Sequence, residues 1–461
     1  MQGMNLTLRL ILVVASALLA STVFAPLSWW FLAVVAWIPL FVGIHGTSAK
    51  VGGRLCLLHG VIYFGITMAW ITKVFVGMSW AIVPLAFIMA FFSMFFGAGY
   101  AALSTRYQKG WLVALGGACW WLAVEMVRAE IFVLKFPWMT PGVGLGPGWI
   151  SPVFGVYGIS FFIVLGGMLV AQQGKARIAG GVLLLAMLLS TILRPSPYKV
   201  GEDGLRVVAV QAEGVYGDNL IQMADPLAGE ADIVLYPEYG FTMDVRQTKH
   251  LYDSFAEFSR KHDALMVFGT VTKLDQESFY NTALTMDGDQ VLGEHYKNHT
   301  VHFFNDGIAG TEAKPVETRK GTFGTPICFD CDYEDTVRQM TGKGAEYFIV
   351  PSLDAKHWGL QEHEQHAELF RHRAAENGRW MMVASGSGMT QLIDPYGNRV
   401  LSLPLMEEGI LSGMLEKRKG LTFFTRAGWL FPWIVLVVGS AWMLWLMGSY
   451  YGQKKAQKIG S

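Results

Sequence analysis

Long apolar runs set the first limit on what this chain can become. A helix rises about 1.5 Å per residue, so roughly 18–25 apolar residues cross the hydrocarbon core of a bilayer. Seven such runs precede residue 200, at about 7–24, 29–46, 55–74, 79–104, 111–127, 152–173 and 178–194; an eighth covers about 427–448. Lipid offers no partners to backbone polar groups, so each run is expected to be a helix. Ala25-Pro26-Leu27-Ser28-Trp29-Trp30 is the turn expected between the first pair. A secretory leader is the alternative for the first run, but no small-residue cleavage site is followed there by a polar domain. Composition agrees: 52% of residues are hydrophobic and only 16% are charged. The net charge is zero, which gives no basic footprint for nucleic acid.

Basic residues in short loops orient such a protein. With the N-terminus inside, the inner segments carry Arg9, Lys50, Arg54, Arg106, Lys109, Lys175, Arg177, Lys454, Lys455 and Lys458. The outer short loops carry only Lys73, Arg128 and Lys135. This bias predicts three parts: a seven-span domain over 1–194, an extracytoplasmic domain over 195–426, and a closing span with a basic cytoplasmic tail over 427–461. Pro195, Ser196 and Pro197 mark the exit from the seventh span. Trp29, Trp30, Trp138 and Trp149 fit an interfacial aromatic belt.

Residues 195–426 alternate between strand and helix signals. Leu205–Gln211, Ala231–Glu238 and Ala264–Val271 are short apolar runs that read as buried strands. Leu251, Phe255 and Phe258 mark a helix between the last two. Asp287-Gly288-Asp289 is a hairpin turn flanked by Asn281–Met286 and Gln290–Tyr296. Further strands are expected at Ala345–Val350, Arg379–Val383 and Thr390–Ile393, and a polar helix over Gln361–Asn377 stopped by Gly378. Alternation with hairpins predicts sheets covered by helices, an α/β sandwich.

The chemistry-bearing residues sit where strands end. Cys328 lies in Gly324-Thr325-Pro326-Ile327-Cys328-Phe329-Asp330, between a strand and a helix start marked by Asp330, Asp332 and Glu334. The positive end of that helix is expected to lower the thiol pKa. Glu238 follows Pro237 and suits a general base; Lys297 closes a hairpin strand and suits an oxyanion-stabilising cation. A buried structural cysteine, a loop carboxylate and a surface lysine are the plain alternatives for the three taken singly. Cys328-x-x-Cys331 admits a redox pair or half a zinc site. Cys56 and Cys119 lie in spans, and His299, His302 and His366 match no zinc spacing, so no metal is expected.

Glu238, Lys297 and Cys328 in this order, in an α/β block of this length, resemble the nitrilase (carbon–nitrogen hydrolase) superfamily. Seven spans before the block and one after it are similar to the apolipoprotein N-acyltransferase family. Phe136-Pro137-Trp138 and Gly155-Val156-Tyr157-Gly158-Ile159-Ser160-Phe161 resemble that family's signature near its sixth span. Asp354-Ala355, Trp358-Gly359, His363-Glu364-Gln365-His366, Arg373-Ala374, Glu376-Asn377-Gly378-Arg379, Ser385-Gly386-Ser387-Gly388 and Asp394-Pro395-Tyr396-Gly397 resemble the segment after its nucleophile.

The resemblance implies a polytopic helical membrane domain joined to an αββα sandwich. It implies Glu238, Lys297 and Cys328 as catalytic residues, with Phe329, Asp330, Asn305, Asp306 and Trp358 in support. It also implies a ping-pong reaction: an acyl chain passes from a phospholipid to the cysteine as a thioester, then to the α-amine of a diacylglyceryl-cysteine lipoprotein. No cofactor or metal is needed. The expected setting is the bacterial inner membrane, with the catalytic domain on the periplasmic face and the protein a monomer in the bilayer. Two departures stand out. Phe329-Asp330 replaces the family's Tyr-Glu, and the family's second Glu after the lysine falls on Asn305, beside Asp306. Asp330 is expected to orient Lys297 or the attacking amine. A membrane-bound amidase and a catalytically impaired lipoprotein-binding homologue are the alternatives.

Overall fold

The computed structural model describes residues 4–195, 200–201 and 203–459; Ser196 and Pro197, expected at the exit of the seventh span, lie outside them. The chain forms two compact units. One holds Met1–Ile150, Phe154–Leu193 and Ala427–Ser461; the other holds Ser151–Val153 and Arg194–Arg426.

Among the described residues, five helices, lying wholly or mainly in the first unit, are long and apolar enough to cross a membrane. They are Ser79–Arg106, Gly110–Ile131, Ser151–Val170, Lys175–Ile192 and Phe424–Trp445. Leu6–Thr22 is a shorter apolar helix. The run expected at 55–74 is largely the helix Ala49–Thr67, which starts earlier because the Ser48 side chain accepts the Val51 N–H. The run expected at 29–46 is not continuous. Trp30–Val34 is a 3-10 turn and Ile38–Ile44 a separate seven-residue helix. Pro39 explains the restart, since a residue without an N–H fits only the first turn of a helix.

Helices in lipid gain little from excluding water, so close backbone approach holds them together. A Cβ on Gly52 would stand 2.5 Å from that of Ala101, and one on Gly97 would stand 2.5 Å from the Cys56 sulfur. These small residues let Ala49–Thr67 and Ile82–Arg106 cross in contact. Charge is buried here only with partners. Arg128 donates to the carbonyls of Phe136 at 2.6 Å and Trp138 at 3.2 Å, and Trp121 donates to Glu125 at 2.9 Å. The grip of Arg128 turns the Phe136-Pro137-Trp138 segment inward. Trp29, Trp30 and Trp149 are exposed, but Trp138 is only 4% exposed and stacks on Phe136, so it is no part of an interfacial belt.

Among its described residues the second unit has twelve strands: β1 Leu205–Gln211, β2 Ile233–Leu235, β3 Leu265–Lys273, β4 Phe279–Asp287, β5 Gln290–Tyr296, β6 Val316–Thr318, β7 Gly321–Gly324, β8 Tyr347–Ser352, β9 Met381–Ser385, β10 Gln391–Ile393, β11 Arg399–Ser402 and β12 Gly409–Leu415. They form two six-stranded sheets, ordered β12-β1-β2-β3-β4-β5 and β11-β10-β9-β8-β7-β6. The middle of each is parallel: β1, β2 and β3 in one, β7, β8 and β9 in the other. Alternate side chains of the two sheets meet in one buried cluster. Val207, Ile233, Leu235 and Val267 come from the first; Phe323, Tyr347, Ile349 and Met382 come from the second. The other face of the first sheet buries Phe255 and Phe258 of helix Lys249–His262. That of the second buries Val337 of helix Asp335–Gly342 and Phe370 of helix Leu360–Asn377. Strands buried on both faces read as continuous apolar runs. Gly378 ends the last helix in the left-handed conformation at φ 62°, as its position predicts.

Candidate active site

Glu238, Lys297 and Cys328 each sit just past a strand. After β2, Pro237 leads to Glu238, whose N–H donates to the Ser352 carbonyl at 3.2 Å. Gly269 on β3 makes room for this turn: a Cβ there would lie 2.4 Å from the Glu238 Cα. Lys297 directly follows β5, and its N–H donates to the Asn281 carbonyl at 2.9 Å. After β7, three residues lead to Cys328, which takes φ 46°. A non-glycine residue in this region is strained, and such strain collects at functional sites.

The Glu238 and Lys297 side chains meet in a buried knot. The Lys297 ammonium lies 2.7 Å from Glu238 Oε1 and 2.8 Å from Asp306 Oδ2. All three groups are at least nine-tenths buried. Asn281 Nδ2 donates to Glu238 at 2.6 Å and to Asp306 at 2.9 Å, and the Tyr239 hydroxyl donates to Asp306 at 2.8 Å. The sequence reading had not singled out Asn281 or Tyr239. Tyr239 was within reach, since it follows Glu238 directly; Asn281 lies far along the chain and only the β4–β5 pairing brings it in. The structure also resolves the question at 305–306. Asn305 is exposed, whereas Asp306 is buried against Lys297 and further held by the Val301 N–H at 2.8 Å.

Electrostatics follow from burial and pairing. Burial raises the Glu238 pKa and Asp306 adds to it, although Lys297 pulls the other way. Burial works to lower Lys297, but the two carboxylates overrule it and hold the ammonium well above its ordinary value. Burial also works to raise Asp306, yet Lys297 keeps it below the usual range.

Cys328 departs from expectation. Its thiol is pushed well up, by burial first and by the charge of Glu238 second. The expected helix start is missing: Cys328–Cys331 is a 3-10 turn, and the following helix begins only at Asp335. No long helix begins at the sulfur, so the expected lowering of its pKa by a helix end is not available to offset burial. The Cys328 sulfur lies 3.6 Å from the Leu353 carbonyl, within reach of a weak thiol hydrogen bond.

Asp330 also departs from expectation. It does not bond Lys297. One oxygen accepts the N–H groups of Asn298 at 2.9 Å and His299 at 2.8 Å; the other accepts Ile327 N–H at 3.0 Å and meets His295 Nε2 at 2.9 Å. It ties the strand end carrying Lys297 to the turn carrying Cys328. Phe329 packs on Ile327 and Cys328 and sets its ring edge-on to Tyr333. Trp358 is half-buried and lies 5.7 Å from the exposed Phe304 ring. Cys331 belongs to the apolar core with Val337 and Phe348, and both it and Cys328 are free.

A buried thiol beside an acid and a fixed ammonium can exchange a proton with the acid and present a cation to a developing oxyanion. Known proteins share both units. Residues 16–169 match the Apolipoprotein N-acyltransferase N-terminal domain, and residues 205–418 match the Carbon-nitrogen hydrolase family. Apolipoprotein N-acyltransferases of Pseudomonas aeruginosa strain UCBPP-PA14 and Photobacterium profundum are 26% and 23% identical; the matches cover 89% and 91% of this chain and 91% of each relative. An amidase from Nesterenkonia sp. aligns with 20% identity and a TM-score of 0.40, covering 49% of this chain and 95% of its own. With both halves matched in order, and named alike across distant bacteria, the chain belongs to the apolipoprotein N-acyltransferase family of the nitrilase superfamily.

Proposed function

We propose that this protein moves an acyl chain from a phospholipid, through a Cys328 thioester, to the α-amine of a diacylglyceryl-cysteine lipoprotein. The observation that carries the reading is the Glu238–Lys297–Asp306 knot, of which Glu238 and Lys297 act electrostatically on the buried, strained Cys328. Glu238 takes the thiol proton as the sulfur attacks the ester carbonyl. Lys297 stabilises the tetrahedral oxyanion, shifting part of its interaction away from the carboxylates. The C–O bond breaks and the lysophospholipid leaves with the proton held by Glu238. The amine then attacks the thioester, Glu238 accepts its proton, and the sulfur leaves and is reprotonated. Water is the competing nucleophile, and its exclusion by the lipid substrates would favour the amine over it.

On this reading residues 195–426 form the catalytic domain, an αββα sandwich on the periplasmic face of a bacterial inner membrane, anchored by eight spans. The apolar helices and the bacterial relatives support a multi-pass membrane protein. The test is mass spectrometry of purified protein after mixing with phospholipid. An acyl adduct on the peptide containing Cys328, discharged by a diacylated lipopeptide, is expected. Discharge only by water would favour an amidase, and absence of any adduct would sink the mechanism.

A further inference from the structure

No zinc spacing is visible in the sequence around His366, yet the fold assembles a ligand set there. Cys328, Asp354 and His366 each present one sulfur, oxygen or nitrogen atom, and these lie within 4.8 Å of one another. All three residues are buried. Asp354 follows β8, and His366 lies on the helix Leu360–Asn377. His366 Nδ1 faces Asp354 Oδ1 at 2.5 Å, while its Nε2 faces Asp332 Oδ1 at 3.1 Å. Ser385 donates to the other Asp354 oxygen at 3.1 Å, so that carboxylate is held in place.

We infer that Cys328, Asp354 and His366 form a reversible site for a thiophilic divalent cation of the zinc class, which switches the nucleophile off. One thiolate, one imidazole and one carboxylate are ligands zinc prefers, and three of them leave a fourth position for water. Binding displaces two protons to solvent: that of the Cys328 thiol and the one shared by His366 Nδ1 and Asp354. With Nδ1 on the metal, Nε2–H still faces Asp332. That is the outer carboxylate which orients a metal-bound imidazole. Tetrahedral zinc bonds of about 2.0–2.3 Å hold the donors roughly 3.3–3.6 Å apart, so the 2.5 Å His366–Asp354 pair must open to admit the cation, with the Cys328 sulfur settling at the same spacing. A sulfur engaged by the cation cannot attack an ester. The regulatory meaning rests on Cys328 being the nucleophile, but the binding itself does not.

The test uses full-length protein in detergent and does not depend on acyl transfer. Cobalt(II) should give a sulfur-to-metal charge-transfer band at one equivalent, absent in Cys328→Ser and kept in Cys331→Ser. Zinc should protect Cys328 from iodoacetamide, read by mass spectrometry, and EDTA should remove the protection. His366→Gln should weaken protection strongly, and Asp332→Asn by about 10-fold as an outer-shell change. If His366→Gln does not fold, Asp332→Asn and Cys328→Ser still decide the matter. No cobalt–sulfur band, or equal zinc protection in Asp332→Asn and His366→Gln as in the parent, would overturn the site. Acyl-adduct formation measured in EDTA tests the proposed reaction separately.

Discussion

Two buried carboxylate centres, one at Lys297 and one at Asp330, are built from opposite materials. At Lys297, two acids share one ammonium and nearly every donor is a side chain. At Asp330, one acid gathers three backbone N–H groups and one imidazole. Both acids are shorter than the glutamates the family resemblance leads one to expect. Asp306 still reaches the lysine, since its loop brings the backbone close. Asp330 serves the backbone instead. The difference separates a charge centre that can change during a reaction from a clamp that fixes two loops. Removing a side chain from the first should alter chemistry; removing one from the second should alter stability and positioning.

The sharpest attempt to break this contrast is Lys297→Met. It removes the oxyanion cation and leaves two buried acids facing each other. Thioester formation should fall by about 1,000-fold or more, as when a strong oxyanion donor is lost. Stopped single turnovers with a fluorescent phospholipid would measure it, and near-parent rates would dismantle the charge-centre reading.

Asp306→Asn should cost about 100-fold, because Lys297 loses one of its two anchors. It also carries a pH signature. If acylation uses ionised Glu238 as proposed, the rate rises with pH through the raised Glu238 pKa. The Asp306 charge contributes to that rise, and its removal should move the acid limb to lower pH. An acid limb that stays in place, or moves upward, argues that Asp306 does not act on Glu238.

Gly269→Ala probes geometry alone. Its added Cβ must push the Glu238 backbone away, and a shift near 1 Å can cost about 100-fold. The expected loss is about 10- to 100-fold in acylation with thermal stability changed little by comparison. An unaffected rate would mean the Glu238 turn has slack.

Asp330→Asn is the matching attack on the clamp. Unsatisfied backbone N–H groups should destabilise the fold by about 1–3 kcal/mol, seen in denaturant or thermal melts of the detergent-solubilised protein. Thioester formation and aminolysis should slow by the same modest factor. A selective loss of aminolysis would instead restore the direct role expected from the sequence. The smallest effect belongs to Cys331→Ser. Its hydroxyl enters an apolar cluster and should cost about 1–3 kcal/mol in stability, with acylation per folded molecule kept.

What the sequence reveals here depends on the range of the interaction. Strands buried on both faces, such as Leu205–Gln211, are apolar throughout and were visible at once. Gly288 at the hairpin and Gly378 after its helix were legible because backbone geometry demands glycine locally. The knot was half legible: Glu238 and Lys297 end recognisable strands, whereas Asn281 joins only through sheet register. β6, β11 and β12 are not legible, and β7 is legible only as a strand running into Cys328 without its bounds, because short strands such as Gly321–Gly324 carry little apolar signal. The state of Cys328 was misread because the acidic run 330–334 imitates a helix start, while the chain spends it on a 3-10 turn and loop contacts. Trp138 was misread because an aromatic near a span end reads as interfacial unless the carbonyl grip of Arg128 is known.

The pairing of β1 with β12 has a consequence for how the protein is made. Leu205 pairs with Leu415 and Gln211 with Gly409, so the first strand of the second unit completes its outer edge only with the last. During synthesis β1 leaves the ribosome with its edge unpaired, and the partner arrives just before the closing helix Leu430–Ile459. Such distant pairings are slow to form, and an open edge invites wrong ones. A nascent chain stalled before residue 409 should therefore stay protease-sensitive within β1 and bind holdase chaperones, while one extended past residue 415 should not.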